Sequence, residues 1–221
     1  MSITELPVGT NAVLAEMLNS GHVTCADGRR LPLHSHVPLL ECRILQEWVK
    51  LIQPRRLLEI GLAYAVSPLF LCDTLDWGRE IAYHVVDPFQ ERDWQSIGWL
   101  NLVRAGYADS IHLHTEVSSV VLPQFRQAAM QFDFVLIDGS HKLQEVCSDV
   151  EHAKHLLAPG GVIALDDIHL PSVQTAVESL IEQGFQQLYM PRAFDQSLPV
   201  RLRRMNNTYP SRVVAFHQPH L

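Results

Sequence analysis

The chain has 221 residues, of which 47% are hydrophobic and 19% charged. That is the composition of one folded domain with a modest extension, and it excludes disorder as the resting state. Lys and Arg total 17 against 24 Asp and Glu, a formal charge of −7, which leaves little for gripping a nucleic-acid backbone; the local exception, Arg201, Arg203 and Arg204, reads as a solvated face or an anion contact.

Residues 1–35 carry turn formers at Gly21, Gly28 and Pro32 and read as an N-terminal extension or lid; the main domain runs from residue 36 to 221. PLLECRILQEWVKLI places Leu45, Trp48, Val49 and Ile52 at helical spacing, and Pro54 stops that helix. RLLEIG is then a short apolar strand ending at Gly61, with Ser67-Pro68 expected to open the next helix as N-cap and first-turn proline. IAYHVVD ends a second strand at Asp87, and a helix follows near 94–106. SIHLHT is a third strand with a helix around 118–129, and FDFVLID is a fourth, ending at Asp138. The helix KLQEVCSDVEHAKHLL puts Leu143, Val146, Val150, Ala153 and Leu157 on one face. GVIALDD is a fifth strand, and PSVQTAVESLIEQG a helix closed by Gly184. FQQLYM and RVVAFH are two further strand candidates. The polar stretch 191–211 between them is too long for an ordinary connection and reads as a substrate loop.

Five strand–helix units in succession predict an α/β fold, with a parallel sheet between two helical layers. No apolar run approaches the ~18 residues of a membrane span, and the start lacks a signal peptide's basic and apolar segments. The chain therefore reads as cytoplasmic, with no membrane partner. Cys25, Cys42, Cys72 and Cys147 show no CxxC spacing and read as reduced thiols.

Ligands of such a sheet bind beyond the carboxyl ends of the strands. Glu59 and Gly61, Asp87, Asp138 with His141, and Asp166 with Asp167 all stand there. The pattern around Gly61 is Glu-x-Gly-x-x-x-Ala-x-Ser, without the glycine spacing that admits a pyrophosphate. An acid at position 59 suits a cationic or amine-bearing ligand. Asp87 is placed to accept both hydroxyls of a ribose. Three carboxylates at 138, 166 and 167 repel one another unless protons or a cation intervene, and an all-oxygen set favours Mg²⁺, with Ca²⁺ or Mn²⁺ as other possibilities. The alternative is that Asp138 faces a cofactor while Asp166 or Asp167 caps the next helix.

Residues 38–190 resemble the class I S-adenosylmethionine-dependent methyltransferases. They are most similar to the small metal-dependent O-methyltransferases of the catechol and macrolide-sugar type. The stretches that carry the resemblance are LLEIGLAYAVS, HVVDPF, RAGYADSIHLHTEVSS, FDFVLIDGSH and GGVIALDD. It implies a Rossmann-like, three-layer fold whose sheet has seven mostly parallel strands, the last antiparallel, with RVVAFH pairing to the preceding tail strand. It implies S-adenosyl-L-methionine as cofactor, with Glu59, Gly61 and Ser67 about its methionine part. Asp87 would hold the ribose, Val117 and Ser118 would border the adenine, and Asp138 would lie alongside. It further implies a divalent metal, Mg²⁺, on Asp138, Asp166 and Asp167, a small-molecule acceptor methylated on oxygen, and a homodimer. His141 takes the position of the family's proton-abstracting lysine, and its ordinary pKa near 6.5 suits a general base; the competing reading is a cap for the helix that starts at Lys142. Other outcomes of the same fold are another acceptor chemistry, such as N-methylation or hydroxylation, and a cofactor-binding protein that has lost catalysis. Ala65 replaces the family's second glycine, and the expectation is that this position serves helix–strand packing, where one methyl is tolerable.

Overall fold

The computed structural model describes residues 6–7, 9–189 and 212–218. The expected substrate loop at 191–211 lies outside them. Nine strands and seven helices follow in chain order among the described residues. They are α1 (Ala12–Ser20), β1 (His22–Thr24), β2 (Arg30–Pro32), α2 (Leu39–Ile52), β3 (Arg56–Ile60), α3 (Val66–Cys72), β4 (Ala82–Val86), α4 (Ile97–Arg104) and β5 (Ile111–His114). Then come α5 (Ser118–Gln127), β6 (Phe132–Ile137), α6 (Leu143–Leu156), β7 (Leu157–Leu165), α7 (Pro171–Glu182), β8 (Gln186–Gln187) and β9 (Val214–His217).

Seven strands form one sheet in the order β5-β4-β3-β6-β7-β9-β8. The pairs β3–β4, β3–β6, β4–β5 and β6–β7 are parallel, whereas β9 runs antiparallel to both β7 and β8. The strand order reverses at β3, which has β4 on one side and β6 on the other. That is the switch point where an open α/β sheet leaves a crevice.

Because successive side chains on a strand point to opposite faces, each central strand feeds two cores. Leu57, Tyr83, Phe134, Leu136 and Ala164 pack with α1 to α4 through Leu14, Leu45, Trp48 and Phe70. Leu58, Val86, Val135, Ile137 and Leu165 pack with α5 to α7 through Phe125, Val150 and Ala176. Both faces are covered, which is why these strands read as continuous apolar runs.

Several boundaries differ from those the sequence suggests. The extension at 1–35 holds α1 and the β1–β2 hairpin, and buried Leu14 and Met17 join the first core. Ser67 does not cap α3; the helix starts at Val66, with Ala65 in the cap position. Leu143 is exposed, and Leu157 belongs to β7 rather than to α6. Among the described residues of FQQLYM, Gln186 and Gln187 alone join the sheet. Among the described residues no helix is long and apolar enough to cross a membrane.

Candidate active site

The strand ends are tied together by backbone hydrogen bonds that continue the sheet beyond its strands. Gly61 N–H donates to Val86, Asp87 N–H to His114, Asp138 N–H to Ile60 and Asp166 N–H to Ile137. The predicted carboxylates therefore share one edge. Gly61 has a specific reason to be glycine there: its φ is +102°, and a Cβ would meet the Asp138 carbonyl oxygen at 2.1 Å.

Two cavities open along this edge. One, of about 670 Å³, is lined by Gly61, Asp87, Phe89, Val117, Ser118 and Asp149, among others. The other, of about 530 Å³, is lined by His34, His36, Tyr64, His141, Asp167 and Arg212, among others. Both share Gly61, Ala63, Trp94, Asp138 and Gly139 as a common wall.

Asp87 lines the first cavity but is not simply available to a ligand. Its Oδ2 accepts from the N–H groups of Leu62 (3.1 Å) and Ala63 (3.0 Å) and from Gln90 Nε2 (2.8 Å). Its Oδ1 accepts from Phe89 N–H at 2.8 Å. The carboxylate thus shapes the turn after β3 while keeping room on Oδ1. Glu59, expected beside the ligand, is fully buried and absent from both cavity linings. It shares the face of Leu57, where Ser67 Oγ donates to Oε1 and Tyr83 Oη to Oε2. Burial pushes its pKa up to about 7, against the two hydrogen bonds. Ser67 lines the second cavity with its hydroxyl turned to Glu59.

The expectation for Ala65 is corrected by the backbone. Its φ is +67°, so the position asks for the left-handed conformation that glycine takes without strain. Ala65 is also fully buried, so packing and conformation constrain it together.

In the second cavity His141 Nε2 lies 2.8 Å from Asp167 Oδ2. Neither capping alternative holds: Ser140 Oγ accepts from Lys142 N–H, and α7 has no side-chain cap. Partial burial, then the charges of Arg212 and His169, hold the His141 pKa below its ordinary value. Asp167 adopts φ +57°, which turns its carboxylate into the cavity wall. Its Oδ1 accepts from Arg212 Nη2. That nitrogen is 3.8 Å from Asp166 Oδ2. Asp166 Oδ1 is buried with no partner among the described residues. Burial raises the Asp166 pKa to about 6, with Arg212 opposing. Burial and the neighbouring Asp166 push Asp138 well above the usual carboxylate range.

Of the three acids expected to bind a metal, Asp138 and Asp167 fall in one group that could hold an ion, with His141 in place of Asp166. One ligand atom each from Asp138, His141 and Asp167 lies within 4.8 Å of the others, whereas Asp166 stands outside that set. With a nitrogen in the set and Arg212 on Asp167, these residues are a poor fit to Mg²⁺, which favours carboxylate and water oxygens. Two residues of the site were not anticipated. Arg212 lies 45 positions beyond Asp167, and no local motif announces it. Asp149 sits on the inward face of α6, fully buried, with Oδ1 unpartnered at the first cavity and its pKa raised to about 6 by burial.

The sheet order, the switch point and the paired cavities define a Rossmann-like class I methyltransferase fold. A family model described as a methyltransferase domain matches residues 58–168, and the chain belongs to that family. No curated protein matches it. Among solved structures it is similar to the O-methyltransferase from Bacillus cereus in complex with SAH. The identity is 19% and the TM-score 0.68, over 97% of this chain and 94% of that one. It is also similar to the O-methyltransferase TomG from Streptomyces achromogenes in complex with SAM, at 18% identity and TM-score 0.61 over 97% and 92%. The SAH-bound methyltransferase PaMTH1 from Podospora anserina aligns at 13% identity and TM-score 0.64 over 97% and 89%.

Proposed function

We propose that this protein transfers a methyl group from S-adenosyl-L-methionine to an oxygen of a small-molecule acceptor, with His141 as general base. The observation that carries the reading is the shared wall between the two cavities. A donor in one and an acceptor in the other would meet at Gly61 and Asp138, with His141 on the acceptor side.

The residues of the first cavity fit the cofactor. Phe89 and Val117 are exposed apolar side chains at its mouth, suited to a purine face. The unpartnered Asp149 Oδ1 beside Ser118 suits an exocyclic amine. Asp87 keeps acceptor capacity on Oδ1 for a ribose hydroxyl. When bound, the cofactor supplies an electrophilic methyl on a good leaving group, so the chain's work is alignment and proton removal. Alignment alone can lower the barrier by about 7–11 kcal/mol. Asp167 holds the His141 ring by Nε2, which leaves Nδ1 to take the acceptor's hydroxyl proton. A depressed pKa keeps that nitrogen unprotonated at neutral pH. Trp94, Tyr64 and His34, with ring centroids 5.0–5.8 Å apart, form an aromatic side of the acceptor cavity.

The Mg²⁺ implied by the family resemblance takes no step in this reading, because Asp138 and Asp167 meet with His141 in place of Asp166, and Arg212 already holds Asp167. Two measurements test the proposal. Calorimetry with S-adenosylmethionine, S-adenosylhomocysteine and NAD should show binding of the first two only. Radiolabelled methyl transfer to a panel of hydroxylated and amine acceptors should give product with hydroxyls. Product with amines alone would overturn O-methylation.

A further inference from the structure

We infer that Arg212 is the resident cation of this site. It takes the role that the family resemblance gives to a divalent metal, polarising the acceptor oxygen and keeping an ion out. This deepens the methyl-transfer reading and rests on it.

Four observations converge. Arg212 lines the acceptor cavity beside His141 and Asp167. Its Nη2 donates to Asp167 and stands 3.8 Å from Asp166, two of the three carboxylates expected to bind metal. Its backbone is pinned on both sides, since Arg212 N–H donates to Glu41 Oε1 at 3.1 Å and its carbonyl accepts from Ile168 N–H at 2.9 Å. Its side chain is 40% exposed, so the guanidinium, which carries five N–H donors, keeps some beyond the one given to Asp167 for another acceptor atom.

The charge balance supports the assignment. A divalent ion among Asp138, His141 and Asp167 would stand against a guanidinium bound to the same Asp167 carboxylate. Like charges at such range repel strongly where water is partly excluded. The Arg212 charge, in turn, favours the ionised form of an acceptor oxygen hydrogen-bonded to it. In the reaction, the hydroxyl proton passes to His141 Nδ1 and the oxygen's electron pair forms the new O–CH₃ bond. The electrons of the broken C–S bond stay on sulfur, leaving a neutral thioether. Arg212 is unchanged throughout.

The test is Mn²⁺ binding followed by electron paramagnetic resonance, alongside methyl transfer with and without EDTA, for the wild-type chain, Arg212→Met and Arg212→Lys. The wild type should bind Mn²⁺ weakly and keep full turnover in EDTA. Arg212→Met should bind Mn²⁺ about tenfold or more tightly, because the opposing charge is gone. Its kcat should fall about 10²–10³-fold, the usual cost of one charge-stabilising donor, with cofactor affinity unchanged. Arg212→Lys should still exclude Mn²⁺ and recover part of kcat. Tight Mn²⁺ binding by the wild type, or turnover abolished by EDTA, overturns the inference. So does an Arg212→Met chain indistinguishable from wild type. Should Arg212→Met fail to fold, the wild-type ion titration decides alone. If no acceptor is ever methylated, the methyl-transfer reading fails while the ion titrations still read Arg212.

Discussion

His141 and Asp167 stand 2.8 Å apart, Nε2 to Oδ2, although 26 residues separate them in the chain. The contact joins the segment after β6 to the segment after β7, neighbouring parallel strands whose ends lie side by side. A histidine fixed by a carboxylate presents its other nitrogen in a defined direction. Replacing His141 with Ala should lower kcat by about 10²–10⁴-fold, the range for a lost general base. The dissociation constant for S-adenosylmethionine should stay unchanged. Stopped assays with labelled cofactor and calorimetry on the same variant check both halves. Normal turnover without His141 would remove it from the chemistry.

Asp87 carries a structural duty as well as its expected place at the ribose. Asp87→Ala strips acceptors from the Leu62, Ala63 and Phe89 N–H groups and from Gln90. Each buried donor left unpaired costs about 1–3 kcal/mol. The variant should therefore lose about 3 kcal/mol or more in urea denaturation without ligand, in addition to its loss of cofactor affinity. A variant with wild-type stability and only weakened binding would show the carboxylate to be purely a ligand contact.

At Ala65 opposing effects nearly cancel. The left-handed backbone costs a non-glycine residue about 1–2 kcal/mol. Glycine in its place forfeits one buried methyl, about 0.8 kcal/mol, and adds about 0.4–1 kcal/mol of unfolded-state freedom. Ala65→Gly should therefore change stability by less than about 1 kcal/mol. Ala65→Val, branched and overpacked at a fully buried site, should cost at least about 2 kcal/mol. Chemical denaturation of the pair tests this, and a tolerated valine would show that the turn can relax.

The strand ends were the most legible part of this chain. Runs such as LLEI, VLI and VIAL are buried on both faces, and the first polar or glycine residue after each marks the sheet's active edge. Position along that edge follows from sequence, but freedom to act does not. Glu59 precedes a glycine as a ligand contact would, yet Ser67 and Tyr83, 8 and 24 residues away, consume its oxygens. Arg212 follows a long aperiodic stretch and reaches Asp167 only because β9 inserts between β7 and β8. The short helix α1 carried a readable signal in its Asn11 cap and buried Val13, Leu14 and Met17. That spacing was masked by the turn formers around it.

His84 offers a pH test independent of the active site. It stands on the α5–α7 face of β4, with Nδ1 3.0 Å from His114 Nε2 and its ring 4.7 Å from that of His112. Phe125 and Phe132 close the other sides edge-on. Burial, followed by the two histidines, pushes its pKa down to about 4, and burial and His112 lower that of His114. A folded-state pKa below the unfolded 6.5 means the unfolded chain binds more protons between about pH 4 and 6.5. The cluster's contribution is therefore complete above pH 6.5 and lost as pH falls toward 4. Glu59, Asp149 and Asp166 pull the other way, since their raised values of about 7, 6 and 6 favour the folded state as pH falls. The wild-type Tm alone mixes these trends, but His84→Phe removes only His84's share of the first and keeps an aromatic ring among aromatic neighbours. Its Tm relative to wild type should rise steadily as pH is lowered from 7 to 5 in differential scanning fluorimetry. An offset that does not change with pH would show that His84 titrates alike in the folded and unfolded chain.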